Sequence, residues 1–227
     1  MPTATFFALP EDRRMRLVEE AITEFAEHSY AEASLTQLVR RAGIAKGSLY
    51  QYFEDKLDLY RWLLTEEVPR RKRQFVSTPK READDFWILL EHHIDKGMAF
   101  LVEHPRLARI TAAAADPTAG EDVRGLHRAV CDAGIDELQE QLKLGVKQGA
   151  ISAAIDVTVT TQFVAAIIGP GLTEVILREL DAELHEILAS ESLRGRLGPK
   201  RRKRLAEQAV HMIRGGLGAT KPERKGR

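Results

Sequence analysis

The sequence predicts an all-α protein of about nine helices, a small N-terminal three-helix domain followed by a larger helical domain. Three observations predict it. Apolar residues recur at helical spacing along most of the chain, and no segment of useful length alternates polar and apolar residues as a strand would. Pro and Gly residues split this pattern into helix-sized pieces. A sharp Ala42-Gly43 turn joins two short periodic segments, which is the signature of a helix-turn-helix.

The domain boundaries follow from size. At 227 residues the chain has room for one large or two small domains, and residues 1–64 alone could not bury a large core. Residues 65–220 are therefore expected to form a supporting helical domain. Residues 221–227 read as a basic tail, expected to be disordered. With 30% charged and 44% apolar residues, the composition is that of an ordinary globular protein.

Within the first domain, Leu35, Leu38, Val39 and Ala42 fall on one helical face, and Ser34 before them is a cap. Gly43 supplies the left-handed conformation that ends this helix. Ile44, Leu49 and Phe53 then form a second inward set, so a new helix begins within about three residues. Helices joined this tightly cross steeply, which lets the second lie in a major groove while the first crosses the backbone.

The outward residues of that second helix carry the functional reading. Lys46 and Tyr50 share one face, Ser48 and Tyr52 a neighbouring one, and Gln51 lies between. These are donors and flat rings instead of a salt-bridged solvent face. Gly47 weakens the helix by about 1 kcal/mol relative to Ala, and close approach of phosphate or a base edge to the helix N-terminus explains its presence. The competing reading is a plain three-helix core with a polar surface.

Leu17, Ala21 and Phe25, Tyr30 in the following link, and then A-G-I-A-K-G-S-L-Y-Q-Y-F-E-D-K give the segment Leu17 to Leu64 a resemblance to the N-terminal domain of the tetracycline-repressor (TetR) family of bacterial transcriptional regulators. The resemblance covers about a fifth of the chain. It implies that Lys46, Gly47, Tyr50, Tyr52 and Lys56 touch DNA phosphates, with Ser34 or Thr36 donating from the supporting helix. It makes Ser48 and Gln51 the base readers, and a Gln can pair bidentately with adenine. Two departures affect details: Ala45 stands where a capping Ser or Thr is usual, and Ser29 replaces a common Gly, which would strain a left-handed link.

After the head, Leu57 to Glu67 continues as a helix that Pro69 is expected to interrupt, forming a hinge before the basic run Arg70 to Arg73. Phe86 to Glu103, Pro105 to Ala115, Glu121 to Gln148, Val157 to Ala189 and Lys200 to Leu217 are the further helices. The last two are the most apolar. Val164, Ile168, Leu172 and Val175 on one, and Leu205, Ala209, Met212 and Ile213 on the other, suit either an internal core or a partner surface. The resemblance implies the partner: a four-helix interface of a homodimer, which would present two recognition helices about 34 Å apart to a palindromic operator on double-stranded DNA.

The resemblance also places a small-molecule effector among the middle helices. Phe86, Trp87, Leu90, Phe100, Ile110, Val130, Cys131, Ile135 and Phe163 are candidates for the wall of a largely apolar pocket, and each equally suits a core. His127 and Cys131 share a face, but no third ligand completes a metal site, and a buried Cys beside a surface His is the preferred reading. No cofactor is implied. The sequence shows no Ser-His-Asp, paired-carboxylate or phosphate-loop arrangement, so no enzymatic role is expected.

Charge argues for focused binding. With 34 basic and 34 acidic residues, bulk attraction to nucleic acid is excluded. Residues 34–53 nevertheless contain Arg40, Arg41 and Lys46 and no acid. The run Lys200 to Arg204 reads as a solvated helix start and Lys221 to Arg227 as a tail with possible DNA contact. The single Cys131, the absence of a basic export region in Met1 to Pro10, and four Thr with a Gly-Pro-Gly inside the uncharged run Val157 to Thr173 point to a cytoplasmic protein without a membrane span.

The expectation is therefore a homodimeric, effector-released repressor. The alternative is a helical small-molecule or lipid-binding protein whose head is structural or a protein-interaction module.

Overall fold

The computed structural model describes residues 1–77 and 85–217, and Lys221 to Arg227 lie outside them. The described residues form twelve helices and no strand. They divide into two compact units, one of residues 1–74 with 104–131, the other of residues 75–103 with the chain from Asp132 onward.

In the first unit, α1 is Ala4–Phe7, α2 Glu11–Glu27, α3 Leu35–Ala42 and α4 Lys46–Tyr52. Glu11 and Asp12 sit in the first turn of α2, where carboxylates complement the helix dipole. The inward face of α2 buries Leu17, Val18, Ala21, Ile22 and Phe25. Ser34 caps α3 by accepting the Gln37 N–H at 3.3 Å. Gly43, at φ 71°, closes α3 while the Ile44 N–H reaches back to the Val39 carbonyl at 3.0 Å, a Schellman end.

Ser29 is not left-handed; its hydroxyl donates to Glu32 Oε2 at 2.8 Å instead, so the link before Tyr30 carries no backbone strain. The α5 helix (56–76) starts on an Asp55 cap, whose Oδ1 accepts the Asp58 N–H at 2.7 Å. Pro69 does not interrupt it. Residues Leu63–Glu67 widen into a π turn, in which the Val68 N–H bonds to the Leu63 carbonyl, and the helix continues through Pro69 to Val76. The hinge expected there is thus a continuous helix.

The α7 helix (Pro105–Ala115) packs on α2, and the Tyr60 hydroxyl donates to the Ile110 carbonyl at 3.3 Å. Burial, with Tyr30 nearby, pushes the Tyr60 phenol up to about 12. Arg71 joins Glu19 of α2 and the buried Glu67, each at 2.7 Å, so the π turn is tied to the head by charge as well as packing.

The second unit is built on α6 (Phe86–Glu103) packed against α12 (Pro199–Leu217). After α7 in sequence runs α8 (Glu121–Lys147), whose second half belongs to this unit. Phe86, Trp87, Leu90, Ile94 and Met98 form one core with Leu138, Leu142, Val164, Leu205 and Val210.

The single helix expected over Val157 to Ala189 is two helices. Helix α9 (157–180) contains a second π turn, Ile167–Gly171, around Pro170, and it stops at Asp181, whose φ of 48° is left-handed. At Gly171 a Cβ would lie 3.0 Å from the Ala166 carbonyl oxygen, a tight contact that a glycine avoids in the π turn. Helix α10 (Leu184–Ala189) then begins on a Glu183–Glu186 capping box. Helix α11 (Glu191–Arg196) follows, capped by Ser190, and with α1 and α10 it raises the expected nine to twelve. No described helix is long and apolar enough to cross a membrane.

Candidate nucleic-acid interface

The supporting helix α3 is fixed at both ends by one side chain. Glu24, buried on α2, accepts the Ser34 backbone N–H at 2.6 Å and Arg41 Nη2 at 2.8 Å. Arg41 Nε also donates to Glu20 at 2.7 Å. Burial alone would raise the Glu24 carboxyl, but the Ser34 amide and the Arg41 guanidinium outweigh it and hold the group below its ordinary value.

Leu49 and Phe53 anchor α4 from beneath, both essentially inaccessible. Opposite them Lys46, Gly47, Tyr50 and Gln51 are exposed, Tyr50 by 49%, and Ser48 is half-buried. Thr36 on α3 is exposed and Ser34 half-buried. A Cβ on Gly47 would meet no atom within 4 Å, so nothing inside the protein demands glycine there. Ala45 begins α4 in extended conformation with no side-chain cap, as its residue type requires.

Two expected phosphate contacts are corrected. Lys56 turns inward: its Nζ donates to the Ala33 carbonyl at 2.6 Å and the Ala31 carbonyl at 3.1 Å, and lies 5.0 Å from the Tyr30 ring centroid. Burial lowers its ammonium accordingly. Tyr52 is buried, with its ring tilted against Phe6 at 6.3 Å, so it packs α4 onto α1.

The last turn of α4 has partners that its own sequence did not suggest. Thr3 Oγ1 donates to the Gln51 carbonyl at 2.7 Å and the Thr3 N–H to the Tyr52 carbonyl at 2.9 Å. In the sequence only the adjacent aromatic pair Phe6-Phe7 hinted at such packing; in the structure Phe6 is buried and Phe7 exposed.

The expected effector-pocket residues are shared between the two units. Ile110, Val130 and Cys131 belong to the first unit, whereas Phe86, Trp87, Leu90, Phe100, Ile135 and Phe163 belong to the second. Phe86, Trp87, Leu90, Phe100 and Ile110 are buried, Val130 and Ile135 are half-buried, and Phe163 is 68% exposed. Cys131 is also exposed, with its Sγ 3.7 Å from His127 Nε2; burial lowers the His127 imidazole, reversing the expected buried-Cys, surface-His order.

The expected interface residues divide by face. Val164, Leu205, Ala209 and Ile213 are buried in the core of their own chain and are unavailable to a partner. Ile168 and Leu172 are half-buried, while Val175 and Met212 are 43% and 59% exposed. Val159 and Phe163 on α9 add two more exposed apolar side chains.

Residues 17–62 match the family model described as bacterial regulatory proteins, tetR family. A probable acrEF/envCD operon repressor of Escherichia coli K12 is 30% identical over 94 residues, 41% of this chain and 42% of that protein, so the chain spans about two fifths of the length of this relative. The whole chain resembles the crystal structure of a TetR family transcriptional regulator from Chloroflexus aurantiacus, with TM-score 0.65 and 29% identity over 97% of this chain and 100% of that one. It shares its fold with the FadR regulator of Bacillus subtilis solved in complex with stearoyl-CoA, at TM-score 0.62 and 17% identity over 89% and 98% of the two chains.

Proposed function

Because this chain is a member of the tetR family of bacterial regulatory proteins, we propose that it is a cytoplasmic, homodimeric DNA-binding regulator, a repressor released from a palindromic operator by a small, largely apolar effector. It catalyses no reaction in this reading. The observation that carries it is the α4 surface: Lys46, Gly47, Tyr50 and Gln51 stand outward above the buried Leu49 and Phe53.

Each exposed group has a role suited to its chemistry. Lys46 and Tyr50 donate to phosphate, and Gln51 presents a planar amide to base edges. Thr36, and Ser34 where its cap allows, donate from α3. Ser48 reads alongside Gln51. Net charge of zero means that affinity rests on this local patch and on having two copies of it.

The second copy is supplied by pairing through α9 and α12. Val159, Phe163, Val175 and Met212 are exposed on these helices in a single chain, and burying them against their equivalents removes an apolar surface from water. The effector reading rests on the apolar core around Phe86, Trp87 and Leu90, and on the acyl-CoA held by the Bacillus subtilis protein of the same fold. Effector binding lowers operator affinity by favouring a different separation of the two heads, a coupling that requires differential affinity for two states.

An anisotropy titration with the DNA flanking the gene tests the reading. The expected result is preference over scrambled DNA, a steep salt dependence, and weaker binding by Lys46→Ala and Tyr50→Ala. Equal binding to both DNAs at every salt concentration would overturn it in favour of a helical small-molecule-binding protein.

A further inference from the structure

The last carbonyls of a helix have no intrahelical partners, and in the seven-residue α4 they form a large share of its hydrogen-bonding groups. Thr3 takes two of them, through its hydroxyl to Gln51 and its N–H to Tyr52, at 2.7 and 2.9 Å. Three residues on, Phe6 fills the apolar space beneath the same end. Its ring centroid lies 5.1 Å from that of Phe53 and 5.1 Å from that of Trp62, and the side chain is almost fully buried. One short segment thus satisfies the polar end of α4 and supports its underside, and it lies outside residues 17–62 that match the family model.

We propose that Thr3 and Phe6 form a clamp that positions α4 for base reading, with Thr3 acting as a positioning residue for Gln51. The proposal rests on the regulator reading of the same helix. Gln51 sits in the last turn, where a short helix frays first. A bidentate amide contact demands a fixed position and orientation, whereas attraction between a cation and a phosphate tolerates displacement. Loosening the clamp therefore costs specific binding more than nonspecific binding.

Thr3 is exposed, so Thr3→Val removes the hydroxyl without disturbing the core. Hydrogen exchange on the DNA-free chain is the first measurement. Amides in the last turn of α4 should exchange about fivefold faster in Thr3→Val, the loss of one hydrogen bond, with α2 and α3 unchanged. Unchanged exchange in α4 overturns the clamp. In the anisotropy assay Thr3→Val should weaken binding to the flanking DNA about fivefold and leave scrambled DNA unaffected, and it should add nothing on a Gln51→Ala background. An equal loss on both DNAs, or no loss, overturns the positioning role. If the unaltered chain does not distinguish the two DNAs, the regulator reading fails, and hydrogen exchange alone then decides the clamp.

Discussion

Arg41 Nη2 lies 2.8 Å from the Glu24 carboxylate, so the last turn of α3 is fastened to α2 through a carboxyl that is 1% exposed. The same carboxyl holds the Ser34 N–H at the other end of α3. Glu24→Gln keeps the shape and removes the charge, and should cost about 2 kcal/mol of stability in urea unfolding. A loss below about 0.5 kcal/mol would show that the pair contributes no more than a surface contact.

The same residue predicts a pH dependence. Its folded value lies below the ordinary 4.5, so its contribution to stability is fully present above that pH and is lost as pH falls below 4.5 through the folded value. Unfolding followed from about pH 6 down to pH 3 should show a steeper loss for the unaltered chain than for Glu24→Gln. Parallel curves would remove Glu24 as the cause.

Two helical glycines should respond in opposite directions to Ala. At Gly47 the new methyl meets nothing within 4 Å, so Gly47→Ala should stabilise the protein by about 1 kcal/mol through helix propensity while weakening DNA binding at least about fivefold. At Gly145 it would lie 2.8 Å from Ile151 Cδ1 and 2.9 Å from the Phe86 ring, so Gly145→Ala should destabilise by about 1–2 kcal/mol despite the better propensity. Thermal unfolding reads both, and anisotropy adds the binding loss at Gly47.

Phe163 is 68% exposed on α9. If it lies in the contact between two chains, Phe163→Glu buries two carboxylates near each other and should turn the dimer into a monomer in sedimentation, with a loss of operator affinity of at least about tenfold. A dimer that survives this change pairs through another surface. Leu205→Ala should instead lower stability by about 2–4 kcal/mol, because that side chain is buried in its own core.

The helix-turn-helix was legible because its signals are local. Ser34 caps within three residues, Gly43 ends a helix by its own conformational freedom, and Leu38, Val39, Leu49 and Phe53 mark their inward faces by spacing alone. The π turns were not legible. Whether a helix yields at Pro69 or widens around it depends on what holds its flanks, here the buried Glu67 bound to Arg70 and Arg71.

The sequence by itself determined the all-α class, the helix-turn-helix and most outward residues of α4, Tyr52 excepted, since periodicity and capping act over a few positions. Tertiary structure alone decided which face an apolar helix turns inward. On α9, Val164 went to the core and its neighbour Phe163 to solvent, a choice made by packing against partners far apart in the chain. It also decided that Lys56 binds the Ala31 and Ala33 carbonyls, because unpaired carbonyls at the end of a distant link attract a cation that spacing alone leaves facing water.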